Sequence, residues 1–165
     1  MKRRGAFLCI ILLLLFSPHM SACKQTATPW EILTLFCERY PLPAGQVYHS
    51  DAEAGEAGYF DPDLFAVLFG REDGGDDRED VVSFSLFLGS ALTVACETGV
   101  FLCPDSESAA EVMGMLKNRI ALVGASTVTD TSFCQDAFVS RYGKWVVYGI
   151  LPDNPKAVRT FDRLL

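Results

Sequence analysis

The sequence predicts an α+β fold, in which a mainly antiparallel sheet is covered by helices on one face. Two observations lead to this class. Apolar residues repeat at helical spacing between residues 106 and 123, and two runs of strand-forming residues flank a turn at Gly143. Because the two strands of a hairpin are antiparallel, we expect the helices to form a layer against an antiparallel sheet.

Two short helices are predicted in the N-terminal half. Apolar residues follow Pro29 at helical spacing, and Pro41 ends the pattern. The second helix has Asp61 as its N-cap, Pro62 at its first position and Gly70 at its end. Each residue type suits its place, since an aspartate accepts hydrogen bonds from free amides and a proline at the helix start needs no acceptor.

The middle of the chain is predicted as a loop followed by one or two strands. Residues 71–80 contain no apolar side chain and indicate an exposed loop. Residues 81–88 form an apolar run that fits a strand but also the start of a buried helix. A further strand is predicted over residues 95–103, before Pro104.

A long helix is predicted next, with Asp105 or Ser106 as its N-cap. Its apolar residues fall on one stripe, and they are Ala109, Val112, Met113, Leu116, Ile120 and Val123. A one-sided stripe is typical of a helix packed against a core.

A hairpin and a final helix complete the predicted order. The hairpin strands are predicted over residues 133–141 and 144–151, with the turn at residues 142–143. Asp153 begins the last helix, and Pro155 lies near its first position.

The first residues have the features of an export signal. Basic residues at positions 2–4 precede an eleven-residue apolar run at positions 6–16, which is too short to span a bilayer. Residues 20–22 have the form of a bacterial lipobox before Cys23, with methionine where leucine is commoner. The small residues admit a peptidase, and the Cys23 thiol then carries a diacylglycerol with acyl chains such as palmitate.

We therefore predict a lipoprotein signal peptide over residues 1–22, a short linker over residues 23–29 and one α+β domain over residues 30–165. An ordinary signal peptide cut near Ala22 and an uncleaved N-terminal anchor are the alternatives. Each of the three places the domain outside the cytoplasm. The expected location is the extracytoplasmic face of the cell membrane, with a lipid anchor at Cys23.

The charge of the mature chain restricts its partners. Removal of the leader takes away three basic residues and leaves 11 Lys and Arg against 21 Asp and Glu, a net charge of -10. Nucleic acid is disfavoured as a partner, because phosphate binding needs a clustered basic surface. Anionic lipid also repels an acidic domain, so we expect the membrane link to be the lipid itself.

Four further cysteines follow Cys23, and they are Cys37, Cys96, Cys103 and Cys134. An even number in an exported chain allows disulfides in three connectivities, and free buried thiols are the alternative. If Cys96 and Cys103 share one strand, their odd separation points them to opposite faces, so a bond between them needs a bend. No C-x-x-C motif occurs, which disfavours a thiol oxidoreductase or a zinc ribbon.

His49 is the candidate centre of a polar or ligand site, together with Asp51, Glu53 and Glu56. Imidazole and carboxylates are the usual metal ligands and proton carriers. A surface-loop histidine is the alternative, because neighbours in an extended segment point in opposite directions. The acidic runs, including residues 73–80, lack the calcium-loop pattern, and no catalytic, metal or cofactor motif is found, so none is predicted.

Residues 42–154 contain the short motifs LPAGQVY at 42–48, SDAE at 50–53, AGYF at 57–60, DL at 63–64, VFLC at 100–103, RYGKWVV at 141–147 and DN at 153–154. Together these motifs resemble a domain-of-unknown-function family of small lipoproteins from clostridia and related Firmicutes. The resemblance covers most of residues 30–165. It implies a lipid-anchored extracytoplasmic protein of Gram-positive type, and it implies no activity and no functional residue.

Two functions are expected from these observations. The first is a non-enzymatic binding or accessory module, anchored in the membrane and paired with an envelope protein. The alternative is a small extracytoplasmic hydrolase acting on cell-envelope material through His49 with Ser50 or a carboxylate.

Replacement of Cys23 by Ala is expected to leave the precursor unprocessed or to release the protein into the medium, because alanine has no thiol to acylate. Mass spectrometry of the mature N-terminus and fractionation of cells measure the effect. Cys9→Ala, within the leader, is the matched control and should leave processing unchanged. Unchanged membrane association of Cys23→Ala would contradict the lipid anchor.

Overall fold

The structure is a computed structural model that describes residues 27–70, 77–90 and 94–165. One antiparallel sheet lies at its centre. Its five strands are β1 (Gly45–His49), β2 (Ser83–Gly89), β3 (Glu97–Leu102), β4 (Phe138–Tyr142) and β5 (Trp145–Ile150). They lie in the order β1-β2-β3-β5-β4, and every neighbouring pair is antiparallel. The predicted α+β class with a mainly antiparallel sheet is confirmed.

Four helices pack on this sheet in the described part of the chain. They are α1 (Pro29–Arg39), α2 (Pro62–Phe69), α3 (Ser106–Gly124) and α4 (Asn154–Phe161), with 3₁₀ turns at Asp77–Asp80 and Ser132–Cys134. Each helix begins after a side chain that accepts hydrogen bonds from free amides. The predicted caps Asp61 and Asp153 are confirmed, and Asp105 rather than Ser106 caps α3.

The helices lie on both faces of the sheet, whereas the sequence pattern predicted one face. Val100 and Phe101 are consecutive in β3 and fully buried, and their side chains enter two different cores. α2 and α3 cover the Phe101 face, and α1 and α4 cover the Val100 face. The physical reason is that consecutive apolar residues in a strand leave one of them in water unless both faces are covered.

The two cores are named by the helices that cover them. The α3 core consists of Phe60, Phe65, Phe69, Phe84, Leu86, Phe101, Cys103, Ala109, Val112, Met115, Leu116, Val146 and Tyr148. The α1 core consists of Ile32, Leu33, Phe36, Tyr40, Phe87, Cys96, Val100, Val147, Leu151, Ala157 and Phe161. In the α1 core, Phe36 stacks on Phe161 with ring centroids 4.2 Å apart, which joins α1 to α4.

β1 is an edge strand that the sequence pattern does not predict. Its residues are exposed or half-buried, and Val47 packs against the edge of the α1 core. A five-residue strand with so little apolar alternation is defined by its pairing to β2 rather than by its own composition.

The hairpin is shorter than predicted, because residues 132–134 form a 3₁₀ turn and its first strand begins at Phe138. Tyr142 pairs with Trp145, so the turn is Gly143-Lys144 rather than residues 142–143. Gly143 has φ +64°, and no described residue other than glycine has a positive φ. This combination fits a type II′ turn, which requires a glycine at its first central position.

Some predictions lie outside the described residues. The signal peptide at residues 1–22, the Cys23 site and residues 71–76 of the predicted loop belong to this group. Within the described ranges, no helix is long and apolar enough to cross a membrane.

Gly99 occupies the centre of the sheet, where β3 is paired on both sides. Its neighbours in the register are Leu86 of β2 and Tyr148 of β5. A Cβ at Gly99 would lie 2.5 Å from Leu86 Cδ2 and 2.8 Å from Tyr148 Cε1. The missing side chain therefore makes room for these two larger side chains in the α3 core.

Gly99→Ala is expected to lower the free energy of unfolding by about 1–3 kcal/mol, because the added methyl group overpacks the α3 core. Gly114→Ala is the matched control, since Gly114 is an exposed residue of α3 and nothing lies within 4 Å of a Cβ there. It should raise the same free energy by about 0.5–1 kcal/mol. Urea unfolding measures both, and equal effects of the two variants would contradict the packing argument.

Candidate functional site

His49 ends β1, and its ring lies against Trp30 of α1 with ring centroids 4.7 Å apart. Its Nδ1 atom is buried and has no hydrogen-bond partner among the described residues. Gly58 lies beside the ring, where a Cβ would come within 3.1 Å of the imidazole. The imidazole is therefore held between a helix and a loop, instead of projecting from a loop into solvent.

The predicted carboxylates do not converge on His49. Asp51, Glu53 and Glu56 are exposed, and their contacts are local. The Ser50 hydroxyl donates to Asp51 Oδ1 at 3.0 Å, and the Glu53 amide donates to Glu56 Oε2 at 2.8 Å. In residues 27–70, 77–90 and 94–165, no group of three or more His, Cys, Asp and Glu side chains is placed to hold a metal ion. The hydrogen bonds of Ser50 and Glu53 thus stabilise the loop after β1.

The four cysteines are free thiols in the structure, and they are Cys37, Cys96, Cys103 and Cys134. Cys96 lies in the α1 core and Cys103 in the α3 core, so the two thiols are on opposite faces of the sheet. Burial raises the pKa of each to about 11, helped by the charge of Glu97 at Cys96 and of Asp80 at Cys103. Both thiols are therefore protonated near neutral pH, which makes them poor nucleophiles.

A buried ion pair between β3 and α3 is the polar feature that the sequence reasoning missed. Arg119 Nε donates to Glu97 Oε1 at 3.0 Å, and Arg119 Nη2 donates to Glu97 Oε2 at 2.8 Å. Glu97 is 6% exposed, and the Arg119 side chain is 18% exposed. Burial lowers the pKa of the guanidinium, but the hydrogen bonds to Glu97 and its charge outweigh burial and raise it overall. The guanidinium therefore stays protonated.

Aromatic rings surround this ion pair. Arg119 lies over the ring of Phe69, with Cζ 5.9 Å from the centroid, and Phe69 meets Tyr148 edge-on. The Tyr148 hydroxyl is buried without a hydrogen-bond partner in the described part of the chain. Burial raises the pKa of Tyr148 well above its ordinary value, and the charge of Glu97 acts in the same direction. The phenol is therefore neutral beside the carboxylate.

A groove of about 430 Å³ opens over the ion pair of Glu97 and Arg119. We call it the Arg119 groove. It lies between the end of α2, the second half of α3 and the adjoining ends of β2 and β3. The lining residues are Leu68, Leu88, Gly89, Val94, Ala95, Cys96, Glu97, Arg119, Leu122, Val123, Ser126 and Thr129. Leu122 is 58% exposed and brings an apolar surface to the groove.

The Arg119 groove combines an apolar lining with one pair of charged side chains. Its walls are mainly apolar, and the two charged side chains that line it are already paired with each other. An apolar pocket with a few fixed polar groups is the usual form of a binding site for a small ligand or a peptide segment.

Two sequence signals pointed to this ion pair. Glu97 is the one acidic residue in the apolar run 95–103, and Arg119 follows Leu116 by three residues on the apolar side of α3. A charged residue at a position that the apolar pattern predicts to be buried needs a partner of opposite charge or a hydrogen-bond partner. The pairing itself joins residues 22 positions apart, so the pattern of either element alone does not reveal it.

No protein-family model, no curated protein and no solved structure matches this chain. The resemblance to the small clostridial lipoproteins therefore stays a prediction.

Glu97→Ala is expected to lower the free energy of unfolding by about 3–5 kcal/mol, because it leaves the Arg119 guanidinium buried without its partner. The double variant Glu97→Met with Arg119→Met removes both charges and should recover most of that loss. Urea unfolding of both variants measures the difference. Glu111→Ala, at an exposed position of α3, is the control and should change stability by less than about 0.5 kcal/mol. A double variant as unstable as Glu97→Ala would show that the pair is not coupled.

Proposed function

We propose that this chain is an extracytoplasmic lipoprotein, anchored through Cys23, that acts as a non-enzymatic binding or accessory module of the cell envelope. The Arg119 groove is its proposed binding site. The leader and the lipobox support the proposed location. The groove and its buried ion pair support the proposed binding site.

The observation that carries the proposal is the position of that ion pair. Removing two charges from water costs several kcal/mol per ion, and apolar residues of similar volume would fill the same space at lower cost. The pair also lines the Arg119 groove, next to Phe69 of the α3 core. A costly polar group at the edge of a core is explained well by contact with a ligand.

The lining indicates the kind of ligand. Leu68, Leu88, Leu122 and Val123 offer an apolar surface, and the floor offers a carboxylate beside a guanidinium. A ligand with an apolar body and one end that both donates and accepts hydrogen bonds satisfies both parts. A side chain and its adjoining peptide group, presented by an envelope protein, have this combination.

The geometry gives no support to the alternative of a hydrolase. That function requires His49 to take a proton from Ser50 or to act with a carboxylate. The Ser50 hydroxyl donates to Asp51 and accepts a hydrogen bond from the Phe84 amide at 3.0 Å. His49 Nδ1 has no partner in the described part of the chain, so Ser50 and His49 are not coupled through that nitrogen.

A photo-crosslinking residue at position 122 tests the proposed binding site in intact cells. The proposal predicts one defined crosslinked product, because Leu122 lies in the groove and is exposed. The product should disappear when Glu97→Met and Arg119→Met are added, since the floor then lacks its hydrogen-bonding groups. Mass spectrometry identifies the product.

Position 82 is the matched control for this experiment. Val82 is 60% exposed and precedes β2, at the opposite end of that strand from Leu88 in the groove. A crosslinker there should give no product shared with position 122. The same products from both positions, or products that persist in the double variant, would exclude the groove as the binding site.

A further inference from the structure

Trp30 is the second residue of α1 and remains 41% exposed. One side of its indole ring packs on His49, so the ring is held in place rather than free to rotate. The neighbouring residues Pro29, Ile32 and Leu33 are buried against the sheet. The first turn of α1 thus presents a fixed, partly exposed tryptophan at the start of the described domain.

The chain between Cys23 and this tryptophan is short. Thr28 begins the helix with a capping box, in which its amide donates to Glu31 Oε2 at 2.8 Å and its hydroxyl accepts from the Glu31 amide at 3.2 Å. Residues 24–27 alone separate this cap from Cys23. An extended chain from Cys23 to Thr28 spans at most about 18 Å, and two helical residues add about 3 Å.

We propose that the indole of Trp30 inserts into the interfacial layer of the bilayer that holds the Cys23 lipid. This contact rests on the proposed function, because the lipid anchor supplies the proximity. Tryptophan prefers the layer between water and the acyl chains, since its ring is apolar and its N–H still finds a hydrogen-bond partner there.

The short tether makes a weak contact sufficient. One exposed tryptophan on an untethered protein gives little membrane affinity, and single exposed apolar residues are common. A tether of a few residues converts the contact into an intramolecular event, with an effective concentration in the millimolar range. Trp30 therefore needs no additional apolar surface to stay in the interface.

The acidic charge of the domain selects the lipid. Asp51, Glu53 and Glu56 are exposed in the loop that follows His49, and Glu31 lies next to Trp30 in α1. These carboxylates are repelled by anionic headgroups and not by zwitterionic ones. The expected partner of the indole is thus a zwitterionic bilayer surface.

This contact also orients the Arg119 groove. His49 pairs with Ser85, whereas Gly89, which lines the groove, pairs with Gly45. The two positions on β2 are four residues apart, or about 13 Å along the strand. Trp30 belongs to α1 on one face of the sheet, and Arg119 belongs to α3 on the other. With Trp30 in the bilayer, the groove therefore lies on the face of the sheet opposite the helix that carries the indole.

Fluorescence quenching tests the contact with the lipid-bearing chain purified from membranes. The protein is reconstituted into phosphatidylcholine vesicles whose acyl chains carry bromine, which quenches tryptophan emission at short range. Co-flotation with the vesicles confirms the anchor independently. Trp145, on β5, is the second tryptophan of the chain and is half-buried. The variant Trp30→Phe leaves only the emission of Trp145, and the variant Trp145→Phe leaves only the emission of Trp30.

The expected result is quenching in the wild-type chain and in Trp145→Phe, with most of it lost in Trp30→Phe. Added phosphatidylglycerol should reduce the quenching. Equal quenching of wild type and Trp30→Phe, or none in a chain that floats with the vesicles, overturns the Trp30 contact and leaves the anchor standing. A chain that carries no lipid and does not float overturns the anchor and this contact together.

Discussion

The structure depends on burial of the central strands on both faces. Val100 and Phe101 are neighbours in β3, and neither has any exposed surface. Water is excluded from both only when one helix layer lies on each side, and the hydrophobic effect is large enough to impose that arrangement. The pairs α1 with α4 and α2 with α3 supply these layers, and the stacking of Phe36 on Phe161 holds the first pair together.

The ion pair of Glu97 and Arg119 follows from this arrangement. Glu97 is the first residue of β3 and faces α3, where the α3 core gives way to the groove. Its carboxylate is buried and needs a partner, and Arg119 reaches it from the second half of α3. Two layers of structure thus provide a polar floor under apolar walls, at the end of β2 remote from Ser85, the residue that pairs with His49.

The candidate site was less predictable from the sequence than the fold. His49 and the acidic residues that follow it are close in sequence, which suggested a cluster, but an extended strand and a local turn separate their side chains. The charged residues that do meet are 22 positions apart. Each was visible as a charge on an apolar pattern, but the distance between them depends on how α3 packs across the sheet.

The amino-acid sequence alone determined the features that depend on residues close together in the chain, above all the helix boundaries. The caps Asp61 and Asp153 set the starts of α2 and α4, because their hydrogen bonds span only a few residues. Pro62 and Pro155 suit the same places, since the first turn of a helix leaves their missing N–H without consequence. Only the tertiary structure decided that helices cover both faces, that residues 45–49 join the sheet as an edge strand, and that Glu97 meets Arg119. These features arise from contacts between distant segments, whose energy depends on the packing of the whole chain.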